Sequence, residues 1–187
     1  MVAIVHTDII DRAQRGNPEA TGALYTHYHQ NIYRFLYYRT GDPQVAEDLT
    51  SEVFLKMVQA LPAYRLHSTP FQAWLFQIAR NLAIDHYRRS NSHPAAFLNE
   101  NLNSPEADMD SKVDFNLTCR GLADAVARLD EAQRDVVLLR FIEGMPIAET
   151  ASILHKSEDA VKALQRRGLA ALRVMLIQNE EPYDKSR

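Results

Sequence analysis

The sequence predicts an all-α chain: two small helical domains joined by an acidic flexible linker, the second domain carrying a helix-turn-helix. Three observations predict it. Apolar residues recur three or four positions apart over most of the chain, the period of an amphipathic helix. Only 6 of the 187 residues are glycine, and no alternating apolar–polar run persists as a strand would require. One start signal also recurs: a Ser, Thr, Asp or Asn followed by proline, or by Gln three residues later.

The first domain is expected over residues 8–92. Ile9 and Ala13 stripe its opening helix. RGNPEA then makes a turn, with Asn17 as cap and Pro18 in the first helical position. Leu24, Tyr28, Ile32, Phe35 and Leu36 give the next helix its inner face. GDPQVAED repeats the device with Asp42 and Pro43, and Val45, Leu49, Val53, Met57 and Ala60 form the stripe that follows. STPFQ uses it again: Thr69 caps, Pro70 opens, and Gln72 completes a capping box. Behind it Leu75, Ile78, Ala79 and Leu82 face the core.

Residues 93–115 hold Asn, Ser, Pro and acid with scattered apolar residues, and read as a linker. Helices resume over 116–178. LDEAQ offers Asp130 and Gln133 as a second capping box, and Gly144 ends that helix. Ile147, Ala151 and Leu154 stripe a short helix, HKS turns the chain, and Ser157 caps the last helix. Its inner stripe reads as Val161, Leu164, Leu169 and Leu172. The tail NEEPYDKSR is polar and expected to fray.

Composition narrows the function classes. The net charge of -3 announces no nucleic-acid binder, so such a role must come from local patches. The acid is local too, with one basic residue against five acidic ones over residues 91–118. A single cysteine, Cys119, excludes an internal disulfide and suits a reducing compartment. The opening MVAIVHTDII lacks a basic leader, and no apolar run nears the ~20 residues of a membrane span. A cytoplasmic chain without membrane insertion is expected.

Three patches then stand out. Asp48 and Glu52 lie four apart on one helix face, where like charges cost a few tenths of a kcal/mol. They are either a solubilising face or a docking patch for a basic protein surface. In FQAWLFQIARNLAIDHYRR, Trp74, Gln77, Asn81 and Arg88 share a side away from the core, with Asp85 beside them and Arg89 at the end. Single-stranded nucleic acid takes such a surface: aromatics stack bases, amides bond base edges and arginine neutralises phosphate. Trp74 also fits an edge of the core. In the helix-turn-helix, Ser157, Glu158, Lys162 and Arg166 lead the second helix, with Arg167 placed for phosphate. An ordinary helical hairpin with a charged face fits the same pattern.

Together and in this order, the pieces resemble an extracytoplasmic-function (group 4) sigma factor of the sigma-70 family. AEDLTSEVFLKMVQALPAYR resembles the helix that docks on the polymerase clamp, PFQAWLFQIARNLAIDHYRR the segment that reads and melts the −10 element, and LDEAQRDVVLLRFIEGMPIAETASILHKSEDAVKALQRRGLAAL the −35-binding domain. The resemblance spans roughly residues 8–176 and implies a non-enzymatic, cofactor-free subunit that directs core RNA polymerase to promoter DNA. It implies core docking by Asp48, Glu52 and Phe54. It implies −10 contact by Trp74, Gln77, Asn81, Asp85, Arg88 and Arg89, with Arg65, His67 and Ser68 in a base-pocketing loop. It implies −35 contact by Ser157, Glu158, Lys162, Arg166 and Arg167. The implied partners are the β′ clamp and β flap of core polymerase, the promoter and an anti-sigma factor, and the acidic linker would thread a polymerase channel.

The chain departs from the family pattern where His155 stands for a turn glycine, where Asp159 puts an extra acid near the recognition helix start, and where Leu164 replaces a frequent basic residue. A stand-alone helix-turn-helix regulator would bind duplex DNA without polymerase, and it leaves Asp48, Glu52 and the Trp74–Asn81 face unused. A helical metalloenzyme finds little support: His27 and His29 point to different faces, and Glu47 and Asp48 lack a His three residues on.

Overall fold

A computed structural model describes residues 7–65, 69–92, 122 and 124–179. The described residues form helices joined by short turns, with no strand among them. The first half comprises α1 (Thr7–Gln14), α2 (Pro18–Thr40), α3 (Pro43–Ala60), a 3₁₀ turn (Leu61–Ala63) and α4 (Phe71–Ser92). The second half comprises a helical stretch at 124–127, α5 (Glu131–Val137) with a π turn (Leu138–Ile142), α6 (Ile147–Leu154) and α7 (Glu158–Asn179). The linker expected over 93–115, like His67 and Ser68, lies outside the described residues.

Local chemistry sets the helix ends. Asn17 accepts from the Ala20 N–H at 2.9 Å, and Pro18 opens α2. Asp42 accepts from the Gln44 and Val45 amides at 2.8 and 3.1 Å, and Pro43 opens α3. Gly41 between them holds φ 74°, a left-handed conformation that lets α2 stop and the chain reverse. Helix α4 starts one residue later than expected, at Phe71, with the Pro70 carbonyl accepting from the Trp74 amide at 3.0 Å. Asp130 does stand at the start of α5. Its carboxylate accepts from the Gln133 side chain at 3.2 Å instead of from the backbone.

The first half packs α2 against α1, α3 and α4. Leu24, Ile32, Phe35, Leu36, Val53, Leu75, Phe76 and Ala79 are sealed from water, and the Phe35 and Phe76 rings meet edge to face at 5.4 Å. Helix α1 is pinned by Gln14, whose amide donates to the Leu61 and Tyr64 carbonyls at 3.0 and 2.7 Å. Two expected positions shift. Ile10 rather than Ile9 is buried in α1, and Ala60 is exposed because the chain turns into the 3₁₀ segment there.

In the second half α5 and α7 pack together, with α6 against α7. Arg134 ties the 124–127 stretch to α5 by donating to the Val126 and Leu129 carbonyls at 3.2 and 3.0 Å. The inner stripe of α7 departs from the expected one. Leu169 is 40% exposed, and the buried position beside it is Gly168. A Cβ there would stand 2.9 Å from Val137 Cγ2, so the glycine is what lets α5 and α7 approach. His155 turns the chain after α6 with φ 51° and ψ 46°, the conformation a glycine would adopt more easily. Ser157 accepts from the Ala160 amide at 3.2 Å, capping α7 as its position requires.

The halves are not separate. The buried core runs from one into the other, α4 packs on α6, and α2 packs on the π turn.

Candidate nucleic-acid interface

The acidic face forms on α3. Asp48 is exposed and Glu52 is half-buried, each with a neighbour on its own helix. The Gln44 amide reaches Asp48 at 3.4 Å, and Lys56 reaches Glu52 at 3.6 Å. The α3 helix presents its opposite stripe to the core, so this acid must face outward. Leu55 continues the same outward row at 58% exposure, and Val58 lies a turn beyond at 48%. Sequence reasoning passed over both, although exposed aliphatics beside paired acids were a readable sign. Phe54 is placed differently from its two acidic companions. It is buried, with its ring 4.7 Å from Tyr25 and 6.2 Å from His29, so it supports this surface from below.

The second face forms on α4. Asn81, Asp85, Arg88 and Arg89 are exposed along its last three turns, and the Arg89 Nε donates to the Asp85 carbonyl at 3.3 Å. Trp74 belongs partly to the core. Its ring packs 4.7 Å from Tyr64 and 5.4 Å from Phe71, and the residue is half-buried. Gln77 is half-buried, with its Nε2 2.6 Å from His155 Nε2 in the turn of the second half. Arg65 is exposed, and its two expected companions His67 and Ser68 lie outside the described residues. The Tyr64 hydroxyl donates to the Thr69 carbonyl at 2.6 Å. Burial raises the Tyr64 hydroxyl pKa, so it stays a donor at neutral pH.

The third face is the start of α7. Ser157, Glu158, Lys162, Arg166 and Arg167 are all exposed, with α6 crossing behind them. Lys162 is paired in the free chain, 3.1 Å from Asp159 on the turn before it. Leu164 is half-buried against the core, so this position serves packing.

A charge network that no single helix announces joins the two halves. Arg34 donates through Nε and Nη2 to the two Glu143 oxygens at 3.0 and 2.9 Å, and Asn31 adds a third bond at 2.9 Å. Arg80 Nε donates to Asp135 at 2.6 Å. Arg39 pairs with Asp135 and reaches Glu131 at 3.2 Å. The Asp135 and Glu143 side chains are wholly buried. Burial lowers the Arg39 pKa to about 10 with Glu131 opposing, so it remains charged at neutral pH.

A helical chain with an acidic face, an amide-and-arginine face and a helix-turn-helix, in that order, has the build of a transcription-initiation protein. Residues 24–93 match the sigma-70 region 2 family, and residues 119–172 match sigma-70 region 4. The extracytoplasmic-function (ECF) RNA polymerase sigma factor BldN of Streptomyces coelicolor is 39% identical over 171 residues, which are 90% of this chain and 65% of that one. The ECF sigma factor SigX of Bacillus subtilis is 34% identical over 156 residues, 80% of each chain. Among solved structures, CnrH in complex with the cytosolic domain of CnrY superposes with a TM-score of 0.74 at 24% identity, covering 92% of this chain and 97% of that one. The sigma factor RpoE of Bartonella quintana, in complex with the anti-sigma factor NepR, gives 0.68 at 18% identity over 83% and 96%. At those identities the likeness is one of fold. The chain belongs to the sigma-70 family, as a sigma factor of the extracytoplasmic-function type, a promoter-specificity subunit. A stand-alone duplex-binding regulator is not favoured.

Proposed function

We propose that the three faces divide the work of promoter selection. Asp48 and Glu52 on α3 dock the chain on a basic surface of core RNA polymerase, the β′ clamp, with Leu55 and Val58 adding apolar contact. Asn81, Asp85, Arg88 and Arg89 on α4, with the half-buried Trp74, take the unpaired −10 strand, and Arg65, His67 and Ser68 would hold an extruded base. Helix α7 enters the major groove at −35, led by Ser157, Glu158, Lys162 and Arg166, with Arg167 on phosphate and the second domain seated on the β flap. The acidic 93–115 segment lies in a polymerase channel that otherwise holds nucleic acid. The chain does no covalent chemistry, needs no cofactor and works in the cytoplasm. An anti-sigma factor is proposed as its regulator, because the two solved structures compared above are complexes: CnrH with the cytosolic domain of CnrY, and RpoE with the anti-sigma factor NepR.

One observation carries this reading. The chain exposes an acid row, an amide-and-arginine row and a helix-turn-helix start, each on a helix whose opposite side is core. No single-face DNA binder has use for all three. Among the described residues, no helix is long and apolar enough to cross a membrane.

The test is transcription in vitro on fragmented genomic DNA, with core polymerase with and without the protein, mapping new 5′ ends. New ends sharing paired upstream elements are expected. No new ends from a chain that binds core polymerase would refute promoter selection. A chain that binds duplex DNA but never core polymerase would refute the docking assignment.

A further inference from the structure

Helix α7 carries an acid at the point where a duplex-binding helix gains least from one. DNA presents a phosphate charge about every 1.7 Å of its axis, so a carboxylate brought into a groove is repelled unless a base answers it. Asp159 is the residue α7 would bring there. Val161 and Gly168 are buried and mark the inner side of the helix. Asp159 stands two residues before Val161, roughly 200° round at ~100° per residue, and its side chain is 92% exposed. Arg166 follows it by seven residues, two turns along the same row, and is also exposed. Ala163 stands between them, too small to hold the helix off a base edge. Asp159 is therefore at the middle of the outward face, with Glu158 and Lys162 to one side of it.

The acid has a companion. Lys162 Nζ donates to Asp159 Oδ1 at 3.1 Å. An ammonium has three donors and a carboxylate about four acceptor sites, so each keeps capacity for a base after bonding the other. The bases sort against this pair. Thymine O4 and guanine O6 and N7 are acceptors and repel a carboxylate, whereas adenine sets its N6 donor beside the N7 acceptor. Cytosine offers the N4 donor alone, and its guanine partner offers O6 and N7 to the ammonium. Guanine O6 and cytosine N4 are hydrogen-bonded to each other within the pair. A donor and an acceptor held at hydrogen-bond distance on one helix face match them in both charge and spacing.

We infer that Asp159 is a specificity-determining residue of this chain, and that with Lys162 it reads one G·C pair of the −35 element. The carboxylate accepts from cytosine N4, and the ammonium donates to guanine O6 and N7. The acid acts by rejection as much as by attraction, because it weakens binding wherever the base edge holds only acceptors. This inference rests on the promoter-selection reading and deepens it.

The test uses holoenzyme assembled from core polymerase and the full-length chain, wild type or with Asp159→Ala, Asp159→Asn or Lys162→Ala. It is offered the promoter mapped by transcription, with the −35 positions randomised, and the bound DNA is sequenced. Asp159 is exposed and Ser157 keeps the cap of α7, so the variants should fold, and circular dichroism checks it. Wild type should select a G·C pair at one fixed −35 position. Asp159→Ala should lower the preference for cytosine there by roughly fivefold to 150-fold, the span of one base contact, and leave the other positions unchanged. Asp159→Asn should shift that position toward adenine, whose N6 and N7 an amide can bond together. Lys162→Ala should relax the same position and no other. A wild-type chain that selects a −35 element without a G·C preference would overturn the inference. So would an Asp159→Ala variant that binds every sequence more tightly with its base preference intact, since the acid would then only repel. Loss of preference at all −35 positions together would also overturn it, by showing that Asp159 merely seats the helix. Wild-type holoenzyme that selects no upstream sequence at all would remove the promoter reading and this inference with it.

Discussion

Gly168→Ala adds one methyl where α5 and α7 cross. The new Cβ would stand 2.9 Å from Val137 Cγ2 and 3.5 Å from both the Cβ and the carbonyl oxygen of Gln133. Carbon atoms attract best at ~3.5–4.0 Å, so the contact with Val137 is repulsive by more than half an ångström. Val137 is 3% exposed and β-branched, and a helix holds such a side chain near one rotamer, so the methyl cannot swing aside. Helix α7 must lift instead. Overpacking of this kind costs about 1–3 kcal/mol, against a gain of about 1 kcal/mol for replacing glycine inside a helix. The net expectation is a loss of roughly 0–2 kcal/mol. Val137→Ala removes the obstructing methyl, so the double variant should be more stable than the two single losses predict, by ~1 kcal/mol or more. Urea unfolding at constant m-value measures all four proteins. Gly168→Ala stabilising the chain by a full kcal/mol, with Val137→Ala strictly additive, would show that α5 and α7 do not approach this closely. Duplex binding by α7 should weaken with the single variant and recover with the double one.

Other predictions test the faces directly. Reversing Asp48 and Glu52 to lysine should abolish assembly with core polymerase in a pull-down while leaving the melting temperature nearly unchanged, since both side chains face outward; undiminished binding would move the docking site elsewhere. Lys162→Ala and Arg166→Ala should each weaken −35 selection by ~1–3 kcal/mol per lost base contact, measured as promoter choice among variant −35 sequences. Asp159→Asn should act the other way on duplex affinity, because it frees Lys162 and removes an acid near the DNA. Burial, with the charges of Tyr64 and Glu149 adding, raises the Tyr28 pKa to about 12. The folded value lies above the unfolded one, so the stabilisation is whole below pH 10 and is lost as pH rises through about 12, by roughly 2 kcal/mol in all. Tyr28→Phe should flatten that alkaline slope, leaving the part due to Tyr33 and Tyr64, whose pKa values burial also raises, and an identical slope would show that Tyr28 is not the group titrating.

Much of the fold was legible because each helix announces itself locally. Asn17–Pro18 and Asp42–Pro43 begin α2 and α3 where their chemistry says they should, since a cap oxygen and a proline need no tertiary help. The α2 stripe of Leu24, Tyr28, Ile32, Phe35 and Leu36 is wholly buried, because a long helix crossed by three others shows a clean period. The α7 stripe misled for a physical reason. Apolar periodicity follows large side chains, and here the buried row passes through Gly168, which has none. Leu169 beside it looked like the core residue and lies at the surface. Phe54 was named from a family docking motif, which says nothing of burial, and Tyr25 and His29 lie against its ring.

The charge seam was harder to see, yet the sequence does hold its trace. Arg39 follows Phe35 and Leu36 by four and three residues, which places a guanidinium on the inner stripe of α2. Asp135 precedes Leu138 and Leu139 by three and four, which places a carboxylate on the inner stripe of α5. Glu143 follows Leu139 by four. A lone charge on an apolar stripe reads as an error in the period unless a charge of opposite sign breaks another stripe. Here the breaks come as a set, with arginines in the first half and acids in the second, and they balance only when the halves meet. No helix read singly can show that, because each break is explained only by a residue about a hundred positions away. The same logic separates the seam from the functional faces. Asp48, Glu52, Asn81, Lys162 and Arg166 sit outside their stripes and remain open to a partner from elsewhere. Arg39, Asp135 and Glu143 sit inside theirs, so their partner had to be this chain.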